Sequence, residues 1–318
     1  MNKDGVYVFD DITADNIRKI TRMQSRIAEQ RICEIFDLAR DAAILASEML
    51  SDGYGIYEIL SIISDGFSLP DFEADESSLK ENLKRLSSYF KLICEYDKIV
   101  FTELFADMIA KMGILISEKD FLLTSSVAET FTYVRNSLAD EAYDVFSQAF
   151  SDPRVRYSSS LAEAAKAVST AEVGFALLPL EEKGGARLAS VAELLFKEDL
   201  KIYSVTPVFG FEGLADMKYA LVSKHFCIHE VEEEDDRYLE IRLRADSSIL
   251  LSELLSAASS FGASVYRVNT ISFETDDGSS QYYSVVFRDE GKDFSLLLIY
   301  LTLFSGAYTP IGLYKNLE

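Results

Sequence analysis

The sequence predicts a multidomain chain with an all-α N-terminal part, an α/β middle and an α+β, ferredoxin-like C-terminal part. Three observations carry this. The length of 318 residues exceeds what one hydrophobic core ordinarily serves. An apolar fraction of 48% is ample for folded cores. The period of the apolar pattern changes twice along the chain.

The first segment has helical spacing. Thr13 or Asp15 can cap a helix start, because their oxygens accept from free N–H groups one turn on. Ile17, Ile20, Ile27, Ile35, Leu38, Ile44 and Leu45 then recur on one face, with no Pro or Gly before Gly53. That predicts one amphipathic helix of roughly 35–38 residues. A short helix over 56–63 is stopped by Asp65-Gly66, and a loop follows around Pro70. A third helical stretch is expected over 77–112, with Leu79, Leu83, Leu86, Phe90 and Ile93 on one face.

In the middle, short apolar runs at 131–134, 155–157, 173–178, 202–208 and 219–222 alternate with helix-like segments at 140–150, 161–167 and 188–196. The order predicts an α/β layer of mainly parallel strands. The acidic run 230–236 reads as a solvated linker. Beyond it, strands at 238–243, 264–273, 282–287 and 308–314 and helices at 248–261 and 294–303 give βαββαβ. Asp276-Asp277-Gly278 reads as a hairpin turn, since Gly tolerates positive φ. The expected domain bounds are 1–124, 128–228 and 237–318.

Charge narrows the partners. Lys and Arg number 31 against 53 Asp and Glu, a net charge of −22. That field repels phosphate backbones and anionic lipid, and no basic patch interrupts it, so neither nucleic acid nor a membrane is an expected partner. Cys33, Cys94 and Cys227 are odd in number and far apart. They build no disulfide framework and are expected as buried small apolar residues. The N-terminus lacks a basic–apolar leader, and the apolar run 296–304 is too short for a bilayer, so a cytoplasmic location is expected. His225 and His229 lie four apart but read as a strand end entering a linker, without an HExxH context. No metal or cofactor is expected. Gly184-Gly185 follows a strand and precedes a helix. It is open to two readings, an anion cradle on free N–H groups or a plain turn.

Val173-Gly174-Phe175-Ala176-Leu177-Leu178-Pro179-Leu180-Glu181-Glu182-Lys183-Gly184-Gly185 resembles the strand and substrate loop of prephenate dehydratases. With its helical and βαββαβ flanks, the chain resembles the bifunctional chorismate mutase–prephenate dehydratase, the P-protein of phenylalanine biosynthesis. The C-terminal part resembles an ACT domain. The resemblance implies a homodimer, a periplasmic-binding-like α/β layer, and a small carboxylate or aromatic amino acid as ligand. It also implies rearrangement of chorismate and conversion of prephenate to phenylpyruvate by decarboxylation and dehydration.

The departures from the family pattern fall on the chemistry. The first loop, with Arg135, lacks the family's Gly, and the substrate-contacting Asn-Ser pair becomes Glu182-Lys183. The Thr-Arg-Phe triplet becomes Met217-Lys218-Tyr219. Met cannot donate a hydrogen bond, and Lys218 keeps a charge without the bidentate fork. A second α/β subdomain, which in the family separates the equivalents of Pro207 and Met217, is missing. The substrate cleft thereby loses its second wall, and the preorganisation that enclosure supplies. On the mutase side the cations for a dianion reduce to Arg22 and Arg40. In the ACT-like part Ser248-Ile249-Leu250 replaces Gly-Ala-Leu, while Gly262 and Gly312 match turn positions. The candidate ligand-binding residues are therefore Arg22, Arg40, Arg135, Glu182, Lys183, Gly184, Gly185 and Lys218. The expected function is a homodimeric regulatory, ligand-binding or scaffold protein without the family's catalysis. The alternative is an active mutase or dehydratase with altered site residues.

Overall fold

The computed structural model describes residues 11–65, 77–182, 184, 187–210, 215–227, 236–247, 249–275, 278–291, 293–305 and 308–317. The expected linker over 230–235, the hairpin residues Asp276 and Asp277, and His229 lie outside the described residues.

The helical part begins with α1 (Asp11–Ser51), one uninterrupted helix of 41 residues, followed by α2 (Ile56–Asp65). The single helix expected over 77–112 is instead two, α3 (Ser77–Phe90) and α4 (Glu95–Lys111). The chain turns at 91–94, where the N–H groups of Leu92 and Ile93 both donate to Tyr89 O and Cys94 is extended. Packing explains the break. Phe90 meets Phe101 edge-on, with ring centroids 4.9 Å apart. On one straight helix, residues eleven apart would be separated by about 16 Å.

The middle part contributes β1 (Thr130–Tyr133), α5 (Ser137–Ser147), β2 (Arg154–Tyr157) and α6 (Leu161–Ser169). It continues with β3 (Phe175–Glu182), α7 (Ala189–Lys197), β4 (Lys201–Val208) and β5 (Met217–Ser223). Both faces of this layer are covered. Phe175 and Leu177 of β3 pack with α5, while Ala176, Leu178 and Leu180 pack with α6 and α7. The layer is mixed rather than mainly parallel. β1 is parallel to β2 and β3, but β5 runs antiparallel between β3 and β4. The eight residues joining β4 to β5 are too few for a parallel crossover, so the chain must return antiparallel.

The last part is β6 (Arg237–Arg244), α8 (Leu251–Ser260), β7 (Ala263–Thr275), β8 (Gly278–Asp289), α9 (Ser295–Phe304) and β9 (Tyr308–Lys315). The nine strands of the described residues join one sheet in the order β2-β1-β3-β5-β4-β9-β6-β8-β7. The junction is the parallel pairing of β4 with β9, which sets Ile202 opposite Gly312. Gly312 is thus a strand residue and not the expected turn. A Cβ there would lie 2.8 Å from Ile202 Cβ and 2.7 Å from Tyr314 Cδ1, so close strand approach demands glycine. Gly262, at φ +80°, is the turn after α8.

Strand alternation divides the C-terminal half in the same way. Leu239, Ile241 and Leu243 of β6 share one core with α8, α9 and α1–α4. Tyr238 faces the other side with Tyr314 and α7. All but one residue of α9 is buried, because it is sandwiched between the sheet and the N-terminal helices. Among the described residues no helix is long and apolar enough to cross a membrane. The cysteines depart from expectation. Cys33 and Cys94 are exposed, on the solvent side of α1 and at the start of α4.

Burial leaves a pH signature. Tyr203 is pushed up to about 12 by burial, and Tyr89 to about 12 by burial and the charge of Asp97, against an ordinary value of 10.0. The unfolded chain therefore ionises these phenols first. Their contribution to stability is complete below pH 10 and is lost as pH rises towards 12. Tm is expected to fall steeply across that window in thermal melts followed by circular dichroism. A flat profile would contradict this.

Candidate functional site

The residues with chemistry converge where β3 meets the C-terminal half of the sheet. A register irregularity between Pro179 and Glu181 breaks the alternation of β3. It turns Glu181 inward, 4% exposed, and leaves Glu182 outside. Glu181 faces Lys218 across the β3–β5 pair, with Nζ–Oε1 at 3.3 Å. Its other oxygen accepts from Arg267 of β7. Five strands separate β3 from β7 in the sheet order, so this contact requires a strongly coiled sheet. Tyr266 closes the group. Its hydroxyl lies 3.4 Å from Lys218 Nζ, and its ring lies beneath both Lys218 and Arg267.

A second ion pair lies beside the first. After β3 the chain turns at Gly184, at φ +69°, and returns so that Arg187 bridges to Glu181 and Leu188 N donates to Leu180 O. This return carries Arg187 onto Glu240 of β6. Nη1 donates to Oε1, and Nη2 to Oε2 at 2.7 Å. Glu240 also accepts from Ser284 Oγ at 2.7 Å and Tyr314 Oη at 3.3 Å. Burial works against the Arg187 charge, but Glu240 outweighs it and holds the guanidinium above its ordinary pKa. Burial, reinforced by Glu240, pushes the Tyr314 phenol well up. The cavity between the two ion pairs is only about 20 Å³. That is room for about one water.

A larger cavity of about 490 Å³ lies between α7 and β7, lined by Arg187, Ala192, Phe196, Asn269 and Ile271 among others. In the helical part a cavity of about 270 Å³ adjoins the pair between Arg31 of α1 and the buried Asp97 of α4.

The sequence candidates are mostly dispersed. Arg22 is exposed on α1, and Arg40 pairs with its helical neighbour Asp37 at 3.0 Å. Eighteen residues of helix put the two about 27 Å apart. They therefore cannot grip one dianion within a protomer. Arg135 lies over the Tyr157 ring and 3.5 Å from Asp140. Glu182 is exposed, Gly184 is a turn, and Lys183 and Gly185 lie outside the described residues. Only Lys218 enters the central group. Sequence reading did not single out Glu181, Glu240, Arg267 or Asn269 as site residues. No signal marked Glu240, which alternates with Leu239 and Ile241 as Arg242 and Arg244 do further along β6 and so reads as one more residue of a polar strand face. Among the described residues no cluster of three or more His, Cys, Asp or Glu could hold a metal ion.

No family model matches the chain, and no curated protein matches it. Among solved structures, the prephenate dehydratase of Streptococcus mutans is similar to it. The likeness has 16% identity and a TM-score of 0.48 over 59% of this chain and 99% of that one. GqqA, described as a novel type of quorum quenching acylase, matches at 16% identity and TM-score 0.44, over 59% of this chain and 95% of its own. The prephenate dehydratase of Arthrobacter aurescens, solved with L-Phe, matches at 14% and 0.44, over 58% of this chain and 89% of its own.

Proposed function

We propose that this chain is a homodimeric, ligand-binding regulatory protein of prephenate-dehydratase type that does not turn over prephenate. The observation that carries the reading is the state of Lys218, the one cation left at the Met217-Lys218-Tyr219 position. It is paired with Glu181, which Arg267 also holds, beside a cavity of about 20 Å³. A dianion needs several free, fixed cations in an enclosed site. Here the lysine is neutralised and the space beside it is filled. Arg135 is likewise beside Asp140. The direct return of β4 into β5, pairing Pro207 with Lys218, supports the absence of a second wall. The test is consumption of chorismate and prephenate by the purified chain. Loss of either above its uncatalysed rate would overturn the reading.

The dimer rests on α1. Ile20, Met23 and Ile27 are exposed at spacings of three and four, a stripe of the kind a second helix covers. We assign that cover to a second copy of the chain. Ile27→Glu is expected to convert the dimer to a monomer in light scattering. An unchanged mass would contradict the assignment.

A further inference from the structure

The cavity of about 490 Å³ between α7 and β7 has the size of a small-molecule site and holds two unanswered donors. The Arg187 side chain is 5% exposed. Glu240 takes both of its Nη groups, and the three arms of a planar guanidinium diverge, so Nε–H points away from Glu240. That Nε has no acceptor, and neither has the buried Nδ2 of Asn269. Both residues line this cavity. Buried donors are costly to leave unmade, so two at one cavity mark the place of a missing acceptor.

One further feature gives the acceptor its sign. Ala189 lines the cavity at the start of α7, and that helix has no side-chain cap, so its positive end faces the space. The charges lining the cavity are balanced, since Lys197 pairs with Glu193 at 2.6 Å and Arg187 with Glu240, so the cavity adds no repulsive negative field of its own. The remaining wall is mixed: Phe196, Ile271 and Ala192 give it an apolar part, beside the hydroxyl residues Thr270 and Ser272. Phe196 is held rigid by stacking on Phe273, with centroids 4.2 Å apart, and by the Arg242 guanidinium at 4.4 Å.

We infer that this cavity binds a small monocarboxylate with an apolar body, the carboxylate accepting from Arg187 Nε and Asn269 Nδ2 and the body lying against Phe196 and Ile271. The inference deepens the ligand-binding reading above and rests on it. It places the ligand between the α/β layer and β7, and away from Lys218.

The test is calorimetric titration of the full chain with 3-phenylpropionate and with 3-phenylpropan-1-ol, which has the same body and no charge. The acid is expected to bind saturably, and the alcohol about tenfold more weakly, the loss of a charge-assisted hydrogen bond. Asn269→Leu, of similar volume, should weaken the acid about tenfold with an unchanged circular dichroism spectrum. Ala192→Phe should fill the space and abolish binding. Absence of saturable acid binding at millimolar concentration, equal binding of acid and alcohol, or full binding by Asn269→Leu would overturn the inference. Failure to bind, with prephenate untouched, removes this cavity and leaves the non-catalytic reading standing. Prephenate turnover that survives Ala192→Phe removes that reading and leaves the cavity standing.

Discussion

Glu240→Leu is expected to lower the free energy of unfolding by about 3–5 kcal/mol, the usual cost of breaking a buried pair from one side. Glu240 is fully buried and answers four donors, from Arg187, Ser284 and Tyr314. Removing it leaves the Arg187 cation in a dry site and two hydroxyls without acceptors. Leucine keeps much of the volume, so the loss is electrostatic and not a cavity effect. The double change Arg187→Met with Glu240→Leu should recover most of the loss, because a neutral pair has no charge left to desolvate. Urea denaturation of the four chains gives the coupling energy directly. Equal stabilities for Glu240→Leu and the double variant would contradict the account of this network.

Phe101→Ala is expected to cost about 3–5 kcal/mol, the range for emptying a fully buried aromatic site. Its effect should reach both ends of the chain. Phe101 of α4 meets Phe90 of α3, stacks with Phe105, and lies 6.3 Å from Phe304 of α9 in a T-shaped contact. It therefore belongs to the core that the N-terminal helices share with the C-terminal βαββαβ part. Hydrogen exchange followed by mass spectrometry should speed up together in α2 and in β6. Faster exchange in the helices alone would show that the two parts open separately.

Local pattern carried most of the secondary structure. The long first helix, the short second one and the six elements of the βαββαβ part follow from apolar period and turn residues, to within a few positions. What pattern could not carry was contact between distant residues. The break between α3 and α4 depends on Phe90 reaching Phe101. The antiparallel β5 depends on the length of a connection. The single nine-stranded sheet depends on β4 finding β9, more than a hundred residues on. The same limit explains the site. Arg187 and Glu240 are 53 positions apart, and Arg267 and Glu181 are 86 apart. One irregularity in β3 decides that Glu181, and not Glu182, turns inward. No spacing rule encodes such pairs.

The reading of Lys218 as a neutralised remnant is tested most directly with prephenate itself. Phenylpyruvate release should be followed at saturating prephenate for the wild-type chain and for Lys218→Met. The account predicts that neither chain releases phenylpyruvate above the buffer rate. A wild-type rate well above buffer that Lys218→Met abolishes would contradict it.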